Sequence, residues 1–216
     1  MNCIVTAGPT YEALDEVRRL TNFSTGRLGS ELADFLTTRG HQVTLLIGEQ
    51  ATYRGENRAA KVESFTTTVN LREQLQQLSH GSVDAVFHAA AVSDFAFGKV
   101  WTRSASGELS EVKSGKISTR EGTLLAELVP TVKIIAALRE WYPKSLLVGW
   151  KFEVDGDRGG LIALAERQMA ECRTNACVAN GGAYGAGFGL VTGPKECLHL
   201  PDNAALFPAL EQLLHK

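Results

Sequence analysis

The sequence predicts a doubly wound α/β fold on a parallel sheet, and three observations carry that reading. Short apolar runs at residues 3–6, 43–47, 83–88, 146–150 and 176–179 suit strands buried on both faces. Between most of them lie stripes of leucine and phenylalanine at helical spacing, and alternation of the two periods is what βαβ units produce. A long polar excursion follows the first run, where open α/β sheets bind ligands.

Taken in order, residues 3–6 form the first strand and Ala7-Gly8-Pro9-Thr10 a tight turn. An ordinary dinucleotide fingerprint would open a helix at once, but fifteen residues, 11–25, intervene before Gly26-Arg27-Leu28-Gly29 starts it. They carry Asp15, Arg18, Arg19, Asn22 and Ser24, so the insertion reads as a binding loop. Leu28, Leu32, Phe35 and Leu36 give the helix one apolar face, and it ends near Gly40. Residues 48–64, beyond the second strand, read as polar and irregular. Leu71, Leu75 and Leu78 stripe the next helix, and the third strand runs into Ala89-Ala90-Ala91-Val92-Ser93-Asp94. Three alanines at a strand's carboxyl end leave room for a flat group, or simply for close helix packing.

Periodicity fails over residues 96–122, a segment rich in lysine, serine and glycine that reads as a flap or arm over a site. Lys113 and Lys116 there flank Ser114-Gly115. Thr131 is expected to cap a helix reaching Trp141, residues 161–172 another carrying Arg167, and residues 190–200 a terminal hairpin about Gly193-Pro194. A last helix bears Leu206, Leu210, Leu213 and Leu214. One domain over residues 1–216 is expected, with flap and hairpin as appendages.

Lys and Arg number 22 against 24 Asp and Glu, a formal net charge of -2, which gives no global reason to expect nucleic acid or an anionic membrane. No apolar run approaches the ~18 residues of a membrane span. Cys3, Cys172, Cys177 and Cys197 show no metal-ligand spacing and read as reduced thiols of a cytoplasmic protein.

The pieces TAGPTYEALDEVRRLTNFSTGRLG, AAAVSDF, GKIST and VGWKFEVD, followed by VAN, resemble in order and spacing the phosphopantothenate-cysteine ligase family of coenzyme A biosynthesis. The likeness spans nearly the whole chain. It implies a Rossmann-like fold, a homodimer, and a stand-alone synthetase without the flavin-dependent decarboxylase to which bacterial members are often fused; no flavin is expected, and a separate decarboxylase is a possible partner. It implies that the carboxylate of 4'-phosphopantothenate attacks the α-phosphate of CTP, and that the cysteine amine then displaces CMP from an acyl-cytidylate. CTP is preferred over the ATP of eukaryotic members, with Mg²⁺ as metal.

Carried over by motif position, Asn22 holds the acyl group, Arg18 supports the intermediate and Lys116 is the flap lysine that reaches the phosphates. A neutral amide orients a carboxyl oxygen, while a cation stabilises developing charge. Gly8, Ser24, Thr25, Gly26 and Arg27 fall in the phosphate-binding stretch, Arg27 replacing the usual lysine. Ala90 and Ala91 line the base pocket with Trp150 beside the cytosine, Asp94 is the metal-associated carboxylate, and Arg167 stands for a triphosphate cation. The family's second helical cation falls on Glu171, and Gly181 stands where Asp usually follows Ala-Asn. Glu171 is expected to weaken triphosphate binding unless Arg173 or Lys151 substitutes. Two other readings compete: a nucleotide-binding homologue of weak activity, supported by Glu171 and Gly181, and a nicotinamide-dependent reductase, opposed by the absence of any Y-x-x-x-K.

Overall fold

The computed structural model describes residues 1–112, 115–118 and 122–215. The strands of the main sheet and of a small hairpin come first: β1 (Asn2–Ala7), β2 (Tyr11–Ala13), β3 (Arg19–Thr21), β4 (Gln42–Gly48), β5 (Lys61–Phe65) and β6 (Ala85–His88). β7 (Phe95–Arg103), β8 (Leu109–Glu111) and β9 (Thr123–Pro130) build the arm, and β10 (Leu146–Phe152), β11 (Ala176–Asn180), β12 (Phe188–Gly193) and β13 (Glu196–Leu200) complete the sheet. The helices are α1 (Arg27–Thr38), α2 (Thr68–Leu78), α3 (Ile134–Trp141), α4 (Arg158–Cys172) and α5 (Asn203–Gln212).

The eight-stranded sheet has the order β13-β12-β11-β10-β6-β1-β4-β5. From β11 to β5 every pairing is parallel. The chain steps outward from β1 to β4 and β5, then returns to β6 on the other side of β1, so the topological switch point lies between β1 and β6. Strand alternation sorts the core into two sides. Cys3, Val5 and Ala7 join Leu32 and Leu36 of α1 and Leu206 and Leu210 of α5. Ile4 meets Leu71 and Leu75 of α2 and Ile134 and Leu138 of α3 on the opposite face. Each wholly buried leucine contributes about 1.5–3 kcal/mol of transfer free energy. Gly29 lets α1 approach β1, since a Cβ there would lie 2.7 Å from that of Ala7.

The structure corrects the sequence reading in four places. The polar stretch before Ser64 contains a sixth parallel strand, β5, whose only buried residue is Phe65. An edge strand carries little apolar signal. The terminal hairpin extends the main sheet, with β12 antiparallel to β11, and is no appendage. The arm spans β7 to β9 and so outruns residues 96–122. Thr131 does not cap α3; its hydroxyl donates to Ser93 O, and Lys133 takes the N-cap position without a side-chain bond.

Glu211 of α5 accepts Arg39 Nε–H at 3.0 and 3.1 Å and lies 3.4 Å from His41 Nε2, tying α5 to the end of α1. Burial alone would raise its carboxyl, but the bonds from Arg39 and His41 outweigh it and hold the group below the ordinary carboxylate range. That stabilisation is complete above the unfolded value near ~4.3 and is lost as pH falls through the lower folded value. Glu211→Gln is therefore expected to cost about 1–2 kcal/mol in urea unfolding at neutral pH. The deficit shrinks toward pH ~3, where the wild-type carboxylate also protonates. An equal deficit at both pH values would contradict this role.

Candidate active site

At the carboxyl ends of β1 and β6 two loops are stitched together. Ala91 N donates to Gly8 O at 2.9 Å, and Thr10 N returns to Ala91 O at 3.2 Å. Thr6 Oγ1 accepts Ala90 N–H at 3.0 Å and lies 3.0 Å from His88 Nδ1, while Thr10 Oγ1 accepts Ser93 N–H at 2.8 Å. Burial pulls the His88 imidazole down to about 4, so it is neutral near pH 7 and serves as a fixed polar strut. The bend after the third sequence-predicted strand is thus held by β1.

The insertion after the turn is a hairpin, β2 paired antiparallel with β3. Glu12 of β2 accepts Thr68 N–H at 3.0 Å at the start of α2, a favourable place for a carboxylate. Thr21 donates to Thr10 O at 2.9 Å. Past β3, Asn22 Nδ2 reaches Ala91 O at 3.2 Å and Val92 O at 3.3 Å, which sets the side chain at the mouth of the switch-point crevice. Gly26 then takes φ 79° at the N-cap of α1, with no side-chain cap. A Cβ there would come within 3.0 Å of Ala51 Cβ. Arg27 N–H donates to Thr25 Oγ1 at 3.3 Å, and with no acidic residue in its first turn this helix start suits an anion.

An open cleft of about 710 Å³ lies beside this helix start, lined by Thr25, Arg27, Leu28, Asn180, Phe188 and the Asp202–Ala204 stretch. Two helix starts meet here with opposite character. Asp202 caps α5 by accepting Ala205 N–H at 2.9 Å, so that end is already neutralised and repels phosphate. Only the start of α1 is suited to one. Sequence reasoning missed Asp202 and Asn203; an Asp directly before the final leucine stripe was the available signal.

The thiols take no part in this arrangement. Burial pushes Cys3 up to about 11 and Cys177 up to about 12, so neither supplies a thiolate near neutral pH.

A profile of the DNA/pantothenate metabolism flavoprotein C-terminal domain matches residues 1–203. The chain belongs to this family. This pantothenate-metabolism domain is 33% identical over 177 residues to the coenzyme A biosynthesis bifunctional protein CoaBC of Thermococcus kodakarensis, covering 82% of this chain and 40% of that protein. The chain therefore spans less than half the length of that curated relative. Its fold matches the DNA/pantothenate metabolism flavoprotein of Streptococcus pneumoniae with a TM-score of 0.84 at 24% identity, covering 100% of this chain and 98% of that one. A Cab2 mutant in complex with phosphopantothenate-cysteine superposes with a TM-score of 0.73 at 18% identity, over 99% of this chain and 85% of that one. The resemblance in the motifs is borne out for the family and for the Rossmann-like α/β fold.

Within this family domain the structure brings together Gly8, Asn22, Ser24, Thr25, Gly26, Ala90 and Ala91. Ser24 N donates to Asn22 O at 2.9 Å, linking the hairpin to the helix start. Arg27 leans along α1 to Glu31 Oε1 at 2.6 Å. Arg18 pairs with Asp15 at 3.0 Å and donates to Ile117 O at 3.0 Å, which puts Lys116 against the hairpin turn. Lys113 and Ser114 lie outside the described residues. Asp94 pairs with Lys133, both largely exposed. Ala90 packs with the α2–α3 side of the sheet and Trp150 with the α1–α5 side, so they do not share a face. The Trp150 indole Nε1 is buried without a partner. Arg167 is exposed on α4, 4.0 Å from Glu171, and does not line the cleft. Lys151 and Arg173 pair with Glu153 and Glu140, at 2.9 and 3.7 Å.

Among the described residues no cluster of three His, Cys, Asp or Glu could hold a metal, and no helix is long and apolar enough to cross a membrane. Mg²⁺ commonly takes one or two carboxylates and completes its shell with water and substrate phosphates; Asp94, the carboxylate the motif offers it, is here paired with Lys133.

Proposed function

We propose that the chain is a phosphopantothenate-cysteine ligase that works through an acyl-nucleotide, with CTP as the preferred nucleotide. Coenzyme A biosynthesis is the business of its CoaBC relative, and phosphopantothenate-cysteine is the ligand of the superposing Cab2 mutant. The observation that carries the reading is the position of Asn22, which the hairpin delivers to Ala91 and Val92 at the switch point, near the start of α1, whose first turn holds no acidic residue. That geometry sets an amide beside an anion site, as joining a carboxylate to a phosphate requires.

In the first half-reaction a carboxylate oxygen of 4'-phosphopantothenate bonds to the α-phosphorus, and the bond to the β-phosphate breaks with release of pyrophosphate. In the second the cysteine amine bonds to the acyl carbon and CMP leaves, the amine proton passing to solvent. On substrate binding Asn22 exchanges one of its amide hydrogen bonds to Ala91 O or Val92 O for the acyl oxygen and so orients it, and a base laid across the ends of β6 and β10 touches Ala91 and Trp150. The α1 start, with Thr25 and Arg27, holds phosphate; Lys116 supplies charge from the arm. Asp94 would hold Mg²⁺, which screens the triphosphate when bound. A homodimer in the cytoplasm belongs to the same reading, with free thiols suited to a reducing compartment.

The test is mass-spectrometric detection of the 4'-phosphopantothenoylcysteine amide from 4'-phosphopantothenate, cysteine, Mg²⁺ and either CTP or ATP. Amide formed faster with CTP is expected. Binding of nucleotide without amide would favour the weak-activity homologue, whose specific support is the pairing of Asp94 with Lys133 and of Arg167 with Glu171.

Glu171→Lys checks the cost of that acidic replacement. The exposed pair contributes only about 0.3–0.5 kcal/mol, so the melting temperature should barely change. CTP should bind about three- to tenfold more tightly as one repulsion becomes an attraction. Unchanged affinity in calorimetry would place the triphosphate away from α4.

A further inference from the structure

The arm segment with Lys116 is held by the turn of the β2–β3 hairpin, through Asp15. Its carboxylate accepts Val17 N–H at 2.9 Å, Arg18 N–H at 2.7 Å, Arg18 Nη1 at 3.0 Å and, across the gap to the arm, Ile117 N–H at 3.2 Å. Its side chain is only 1% exposed. Two further hydrogen bonds and the burial of one side chain fasten the same short piece. Glu16 N donates to Gly115 O at 2.9 Å, Arg18 Nη2 donates to Ile117 O at 3.0 Å, and the Ile117 residue is 4% exposed. Lys116 thus has its backbone fixed on both sides by one turn.

We infer that Asp15 is a positioning residue: it holds Arg18 and the Gly115–Ile117 backbone in one clamp, and so fixes Lys116 at the turn of the hairpin whose other end presents Asn22 at the crevice. The two halves of the site come from segments far apart in sequence, one just past β1 and one in the arm, and the clamp joins them. Asn22 follows β3 directly, so the hairpin that fixes Lys116 at its turn presents Asn22 at its other end. Burial by itself would raise the Asp15 carboxyl, but the N–H groups of Val17, Ile117 and Arg18, with the Arg18 charge, outweigh it and hold the group ionised. An asparagine there keeps the size but loses the ion pair and one or more of the accepted bonds. Ile117→Ala loosens the same segment from the arm side and leaves the carboxylate in place.

The role assigned to Lys116 rests on the ligase reading, whereas the clamp can be read without it. Trypsin cuts after lysine, so cleavage of the Lys116–Ile117 bond, followed by mass spectrometry and referred to the same bond in denatured chain, reports release of the segment. Asp15→Asn and Ile117→Ala are each expected to speed that cleavage about tenfold with the melting temperature nearly unchanged. In the ligation assay Asp15→Asn should lower kcat more than it raises KM for nucleotide. The double variant Asp15→Asn/Lys116→Gln should lose less than the product of the two single losses, because part of the effect of Asp15→Asn passes through Lys116 and the rest through Arg18. Unchanged cleavage in both single variants overturns the clamp. Accelerated cleavage with losses that multiply in the double variant overturns the positioning role. If wild-type protein forms no amide with either nucleotide, the ligase reading falls and cleavage alone decides the clamp.

Discussion

Asn22→Asp is expected to lower amide formation by about 10²–10³-fold while the fold survives, the range seen when a preorganised donor to a reacting oxygen is lost. Two effects combine. Asn22 Nδ2 donates to Ala91 O and Val92 O, and a carboxylate would face both carbonyls with no proton to give. It would also bring a second negative charge to the place proposed for the substrate carboxylate, and at a few ångströms like charges oppose each other by kilocalories where water is excluded. The side chain is exposed, so stability should change by less than about 1 kcal/mol. Steady-state assay beside thermal unfolding separates these effects. A variant that forms product at the wild-type rate would remove Asn22 from the chemistry.

Arg139→Met should have the largest effect on stability. The guanidinium donates to Arg173 O at 3.0 Å, Tyr142 O at 3.1 Å, Pro143 O at 3.3 Å, Ser145 O at 2.9 Å and Asn175 Oδ1 at 2.7 Å. Asn175 Oδ1 also accepts Leu147 N–H at 2.8 Å. One side chain therefore ties the connection from α3 into β10 to the connection from α4 into β11. Methionine keeps much of the apolar stem but strands these acceptors. A loss of about 3 kcal/mol is expected, a large part of the ~5–15 kcal/mol that holds a typical domain. In urea the midpoint should fall without a change of slope. These connections lie at the amino ends of the strands, remote from the crevice, so activity of the folded fraction should persist. A loss under about 1 kcal/mol would show that water replaces the guanidinium easily.

How much of this could be read from residues follows the strength of each signal. Strands such as β1 and β11 are buried on both faces and write continuous apolar runs. The leucines of α1 and α2 mark the faces they bury. β5 and β9 are edge or arm strands with mixed polarity, so their sequences resemble loops. The glycine at the start of α1 and the alanines after β6 marked the two bends at which the proposed site lies. What the chain order concealed was pairing across distance: Asp15 with Ile117, Asp94 with Lys133, and the start of α5 beside that of α1. Those contacts join segments separated by many residues, and no local pattern encodes them. The motif reading named Arg18 and Lys116 separately; the fold shows that one turn holds both.

The ligase proposal turns on whether an acyl-nucleotide forms before cysteine arrives. The most direct measurement is pyrophosphate release by purified protein with Mg²⁺, 4'-phosphopantothenate and CTP in the absence of cysteine, followed by addition of cysteine. Release that depends on phosphopantothenate, with CMP appearing after cysteine is added, is the expected result. Folded protein that releases no pyrophosphate with CTP or ATP, or that releases it without phosphopantothenate, would contradict it.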